Sequence, residues 1–275
     1  MRTITLADGV TTLPVLGQGT WQMGSRWYRR RREVAALQLG LDLGLTCIDT
    51  AESYAEGGAE RVVAEAIAGE RDRAFVVTKV NGNHATRARV LAACESSLQR
   101  LRIDAIDLYL LHWRGEVPLA ETVEAFEELR ADGKIKRWGT SNFDLADLQE
   151  LGPGNCAINQ VLYHPEARGI EFDLLPWSQE RGLPTMAYSP LGQAGRLLRH
   201  RTMIAIARAH SATPAQVALA WGLHQPGLMS IPKASSPEHI RANAAALDLQ
   251  LTSEDLAQID AALPPPRKKQ DLVIW

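Results

Sequence analysis

The chain reads as an α/β protein, a (β/α)8 barrel (TIM barrel) whose floor is plugged by an N-terminal β-hairpin. Three observations predict it. Eight short apolar runs rich in β-branched residues alternate with longer segments of helical periodicity over roughly 230 residues. No Pro/Gly/Ser-rich linker or composition break divides the chain, so residues 1–275 are expected to form a single domain. Ahead of the alternation, Thr3–Leu6 and Val10–Leu13 flank Asp8-Gly9, a dipeptide that favours a tight primed hairpin turn.

The predicted strands are Val15–Gln18, Thr46–Asp49, Phe75–Lys79, Ile106–Leu111, Arg137–Ser141, Ala157–Val161, Pro184–Tyr188 and Leu228–Pro232. Helical patterns lie between them at about 31–44, 58–69, 86–101, 119–132, 144–151, 170–182, 201–210 with 214–224, and 237–246. Strands separated by helices must pair in parallel through right-handed crossovers. An open doubly wound sheet is the rival architecture, but it carries a Gly-x-Gly-x-x-Gly turn after its first strand. Here Gly17-Gln18-Gly19-Thr20-Trp21-Gln22 lacks the third glycine.

Apolar residues make up 45% of the chain, enough for a large core, which excludes disorder as the main state. Thirty basic residues against 32 acidic ones leave a net charge of −2, so no overall footprint for nucleic acid or an anionic membrane exists. The one strongly basic run, Arg29–Arg32, reads as a solvated helix entrance. Four cations there oppose the helix dipole, and the sequence offers no better reason for them. Cys47, Cys94 and Cys156 are odd in number and set among apolar residues, as free thiols in a reducing compartment would be. With no run of signal or membrane-spanning length, the expectation is a cytoplasmic monomer acting on a small molecule, with no nucleic-acid, membrane or metal partner.

Active sites of such barrels lie where the strands end at their C-terminal edge. The second strand ends at Asp49, with Tyr54 in the following loop, the third at Lys79, and the fourth runs into His112. Singly, each has an ordinary reading as a cap, a solvated cation or a core imidazole. Jointly they bring an acid, a phenol, an ammonium and an imidazole to one mouth. That set suits protonation of a carbonyl oxygen while hydride reaches the carbonyl carbon. Tyr54 would be the general acid, with Lys79 drawing its pKa down toward working pH, Asp49 holding Lys79, and neutral His112 orienting the carbonyl.

These residues and the blocks around them resemble the aldo-keto reductases. The resemblance covers nearly the whole chain: Gly19-Thr20-Trp21, Ile48-Asp49-Thr50-Ala51-Glu52-Ser53-Tyr54, Val77-Thr78-Lys79, Asp107–Trp113, Gly139–Phe143, Asn159–Pro165, Ala187–Gly192 and Ile231-Pro232-Lys233. It implies an NAD(P)H-dependent carbonyl reductase with Asp49, Tyr54, Lys79 and His112 as its catalytic tetrad; a non-catalytic NADPH-binding sensor is the alternative. It implies that Ser141, Asn142 and Gln160 hold the nicotinamide amide and that Tyr188 stacks on the ring. Ser189, Leu191 and Gly192 would cover the pyrophosphate, and Lys233, His239 and Asn243 would meet the adenosine end. Gly19, Thr20, Trp21 and Ile231 complete the expected cofactor contacts, and Trp21, Trp27, Tyr54, His112 and Trp113 the substrate wall. Ala234 and His239 stand where the family usually has a hydroxyl and an arginine for the 2′-phosphate, so NADPH is expected with weaker discrimination against NADH. Short loops after His112 and after Pro266 imply an open mouth, with the tail 264–275 folding toward it and Trp275 among the aromatics there.

Overall fold

In a computed structural model describing residues 2–152 and 154–275, the chain opens with an antiparallel hairpin, β1 (Thr3–Thr5) and β2 (Thr12–Pro14). Its turn is wider than the predicted primed one. Gly9 alone has positive φ there, whereas a type I′ turn needs it at two residues, and the Asp8 carboxylate instead accepts the amides of Val10 and Thr11.

Eight parallel strands follow: β3 (Gln18–Gly19), β4 (Cys47–Asp49), β5 (Phe75–Val80), β6 (Leu108–Leu111), β7 (Trp138–Ser141), β8 (Cys156–Leu162), β9 (Thr185–Tyr188) and β10 (Leu228–Ser230). Neighbours pair in sequence order. The ends join through Gly17 N to Ser230 O (2.8 Å), Gly19 N to Pro232 O (3.1 Å) and Ser230 N to Val15 O (2.9 Å), which closes the barrel. The first strand lies a few residues later than the sequence pattern places it.

The connecting helices are α1 (Arg30–Asp42), α2 (Gly58–Ala66), α3 (Arg87–Leu101), α4 (Leu119–Ala131), α5 (Leu145–Leu151), α6 (Leu174–Glu180), α7 (Arg201–Ala209), α8 (Pro214–Gly222) and α9 (Pro237–Ala245). A further helix, α10 (Ser253–Ala262), was not among those predicted. Thr252 and Asp255 form a capping box at its start.

Period-two alternation divides the strand residues between two cores. Cys47, Val77, Leu108, Leu110, Ile158, Met186 and Met229 fill the barrel, joined from below by Ile4, Leu6, Leu13 and Val15 of the hairpin segment. The hairpin therefore seals the floor, and Ala7 N donates to Ala157 O at 3.1 Å. Ile48, Val76, Tyr109, Leu111, Val161 and Ala187 point the other way, against the helices. With the floor filled, the cleft bordered by the polar strand-end residues lies beyond the strands' C-terminal ends.

Candidate active site

Asp49 ends β4 and Lys79 lies one residue from the end of β5, its side chain without solvent exposure. A buried ammonium needs close counter-charge and acceptors. Lys79 Nζ has both: it lies 2.8 Å from Asp49 Oδ1 and donates to Thr50 O (2.7 Å) and to the Tyr54 hydroxyl (3.4 Å). Burial works against its charge, but the Asp49 carboxylate and the hydrogen bonds to Asp49 and Tyr54 prevail and its pKa stands raised, so it is an ammonium at neutral pH.

Tyr54 arrives by a turn in which Ala55, Glu56 and Gly57 all take left-handed backbone before α2 begins. Its pKa is raised, burial outweighing the lowering by Lys79. This corrects the sequence expectation that Lys79 brings the phenol down toward working pH. The net effect is a phenol that keeps its proton at neutral pH.

His112 follows β6, its ring centroid 5.7 Å from that of Tyr54 and edge-on to it. Burial, with the Lys79 charge adding, lowers its pKa to about 2, so the ring is neutral. Nδ1 is buried without a partner. A bare lone pair is cheaper to leave there than an N–H, which places the proton on Nε2.

Above these groups lies a cleft of about 470 Å³. Of the residues singled out in the sequence, Gly19, Trp21, Asp49, Tyr54, His112, Trp113, Ser141, Asn142, Gln160, Tyr188, Ser189, Ile231 and Lys233 line it. Asn142 adopts left-handed backbone; its amide donates to His112 O (2.9 Å), and its oxygen accepts the Tyr188 hydroxyl (2.9 Å). Gln160 Nε2 donates to Asp49 Oδ1 at 2.8 Å. Ser141 and Asn142 are not a helix cap, because Asp144 caps α5 through its own capping box. Gly19 lies so close to Ile231 that a β-carbon would meet the Ile231 carbonyl oxygen at 2.7 Å.

Other predicted residues fall outside the lining. Thr20 is buried behind it, donating to Asp49 O (2.9 Å). Leu191 packs against the core, and Gly192 borders a neighbouring cavity beneath the tail. On α9, Asn243 is buried and His239 exposed. Trp27, expected in the substrate wall, is 88% exposed on a 3-10 turn and touches Tyr28 edge-on, away from the cleft. The turn ends where α1 begins, which holds the ring outward.

Six lining residues escaped the sequence reading as site residues: Gln22, Ser25, Ser53, Ala55, Gln193 and Trp275, the last singled out only as a tail aromatic. Trp275 N donates to the Tyr188 hydroxyl (3.3 Å). Gln22 and Gln193 have left-handed backbone, for which a glutamine gives no sequence signal.

A closed (β/α)8 barrel whose mouth brings together a phenol, an ammonium, a carboxylate and a neutral imidazole is the arrangement of an oxidoreductase. The chain belongs to the aldo/keto reductase family, whose model matches residues 15–264. It is 53% identical to methylglyoxal reductase YeaE of Escherichia coli (strain K12), over 96% of each chain. Against the glyoxal reductase of Bacillus subtilis (strain 168) identity is 34%, covering 94% of this chain and 92% of the other. An aldo-keto reductase of Klebsiella pneumoniae, crystallised in complex with NADPH, superposes with a TM-score of 0.96 at 52% identity, covering all of both chains. Like other family members, this protein is an NAD(P)H-dependent carbonyl reductase.

Proposed function

We propose that the protein reduces small 2-oxoaldehydes to hydroxy-carbonyl products, preferring NADPH, with Tyr54 as proton donor. The observation that carries the reading is the hydrogen-bonded chain Tyr54–Lys79–Asp49 beside neutral His112 in one cleft. The relatives named for methylglyoxal and glyoxal reduction support the substrate class.

The residues present fit the nicotinamide coenzyme. Amide and hydroxyl groups of Ser141, Asn142 and Gln160 stand along the cleft opposite the ring of Tyr188, and half-buried Lys233 supplies a cation at one end. Asn142, Gln160 and Ser141 would hold the carboxamide, Tyr188 the ring face, and Ser189 the pyrophosphate side. Bound there, the coenzyme supplies hydride to the carbonyl carbon. His112 Nε2–H orients the carbonyl oxygen, and the Tyr54 hydroxyl gives it a proton. Lys79 steadies the phenolate that remains, and Asp49 keeps Lys79 in place. Trp21 and Trp113 would give the substrate side of the cleft its apolar wall.

We further propose that residues 1–275 act as one domain, as a monomer in a reducing cytoplasm. The thiols support it: Cys94 and Cys156 are pushed up to about 12 and about 11 by burial, so they are protonated and unreactive. Among the described residues no helix is long and apolar enough to cross a membrane.

The test is NADPH consumption followed by absorbance with methylglyoxal, glyoxal, a simple aldehyde and an aromatic ketone. Turnover greatest for the 2-oxoaldehydes is expected. If no carbonyl accelerates consumption above background, the sensor alternative replaces this reading.

A further inference from the structure

The arginine run that the sequence left unexplained lies beside the segment where the expected arginine of the coenzyme site is missing. Ala36 of α1 packs in one buried cluster with Ala234 and Ile240, which flank that segment, and Leu39 and Leu43 extend the contact. On a helix, positions seven and four residues before Ala36 fall on the same stripe. Those positions are Arg29 and Arg32, and Arg29 already has helical backbone. Arg30 points off the stripe toward α2, where it pairs with Glu65 at 2.8 Å; Arg31 falls on the far side. Arg29 and Arg32 form no ion pair among the described residues, and Arg29 only overlies its neighbour Tyr28 at 5.8 Å. Both are exposed.

The other cation of this corner is Lys233, which follows β10 and lines the cleft. It too has no carboxylate bound to it among the described residues. Burial lowers its pKa; Glu33 opposes this from a distance and Arg29 adds to it, so the field of the α1 arginine reaches the ammonium. Glu33 is itself engaged, accepting Gly24 N at 2.9 Å. Uncompensated cations gathered from two elements are electrostatically unfavourable until an anion joins them.

We propose that Arg29, at the entrance to α1, and Arg32 of α1, with Lys233, form the clamp for the adenosine 2′-phosphate, supplying from a different helix the guanidinium that position 239 lacks. This rests on the coenzyme reading above. It explains why four arginines open a helix whose dipole opposes them: a phosphate dianion at that end reverses the sign of the local field. It also removes the expectation of weak discrimination, because two planar donors replace one.

The test is the dissociation constants of NADPH and NADH, read by quenching of intrinsic tryptophan fluorescence. Proteins are wild type, Arg29→Gln/Arg32→Gln, Arg31→Gln and Lys233→Met, each with its melting temperature. The double variant is expected to bind NADPH roughly tenfold or more weakly, with NADH unchanged and a shallower salt dependence for NADPH alone. Arg31→Gln should leave both constants unchanged. Equal losses for both coenzymes, an unchanged NADPH constant, or an equal effect from Arg31→Gln would overturn the clamp. Tight NADPH binding that depends on Lys233 but not on the α1 arginines sinks the clamp alone, whereas a wild type that binds neither coenzyme sinks the coenzyme reading with it.

Discussion

The Gln160 carboxamide on β8 donates to the Asp49 carboxylate on β4 at 2.8 Å, from the strand four places round an eight-stranded barrel. Asp49 is thereby held from two sides, by an ammonium on its neighbouring strand and an amide on the opposite one. The group proposed to position coenzyme and the group proposed to fix the proton donor share one acceptor. Small displacements of either side of the mouth are therefore felt at both.

Tyr54→Phe removes the proton donor and leaves the cleft lining in place. Since a positioned acid contributes typically 10²–10⁴-fold, kcat should fall by about 10² or more while the NADPH dissociation constant stays within about twofold. Retention of more than about a tenth of wild-type kcat would remove Tyr54 from the role.

Asp49→Asn strips the counter-charge from a fully buried ammonium. A loss of about 3 kcal/mol in urea unfolding is expected, together with loss of activity. Combining it with Lys79→Met removes the stranded charge, so the double variant should regain much of that stability while remaining inactive. Additive losses in the double variant would show that the pair is not coupled.

His112 ties stability to pH. Its folded pKa of about 2 lies below the 6.5 of the free imidazole, so below 6.5 the unfolded chain binds the proton that the folded one refuses. Stability from this group is complete above about 6.5 and declines as pH falls, by about 2 kcal/mol at pH 5. His164, lowered to about 4 chiefly by burial, acts in the same direction. Comparing urea unfolding at pH 7.5 and pH 5, His112→Asn should lose about 2 kcal/mol less than wild type. Equal losses would show that His112 does not control this slope.

The tail aromatic and the turn aromatic should behave oppositely. Trp275 lines the cleft and Trp27 does not. Trp275→Ala is expected to raise KM for a bulky aromatic ketone several-fold while sparing a small aldehyde, and Trp27→Ala to change neither. The reverse pattern would place the substrate wall on the other side of the mouth.

The barrel and the gathering of four polar groups at its mouth were legible because both depend on where local apolar runs begin and end. Apolar runs stop where a strand leaves the core, so Asp49, Lys79 and His112 announce themselves as the polar residues at those stops. The hairpin was legible from alternation around Asp8-Gly9, though not its wider turn, since the Asp8 carboxylate's competition for backbone amides is a conformational outcome. The sequence by itself determined the architecture, the family and the acid, phenol, ammonium and imidazole of the mouth.

Tertiary structure alone decided what depends on the balance between burial and charge, or on which elements meet. Desolvation outweighs Lys79 at Tyr54, and no spacing rule weighs those two opposing effects. Five of the nine non-glycine residues with left-handed backbone among the described residues, Gln22, Ala55, Asn142, Ser189 and Gln193, line the cleft, held there by contacts made elsewhere in the fold. Trp27 turned outward and Trp275 inward because one sits on a turn that ends in a helix and the other on a tail that crosses the mouth. Ala36 of α1 meets Ala234 and Ile240 because closing the barrel brings its first helix against its last βα loop, across some 200 residues of chain.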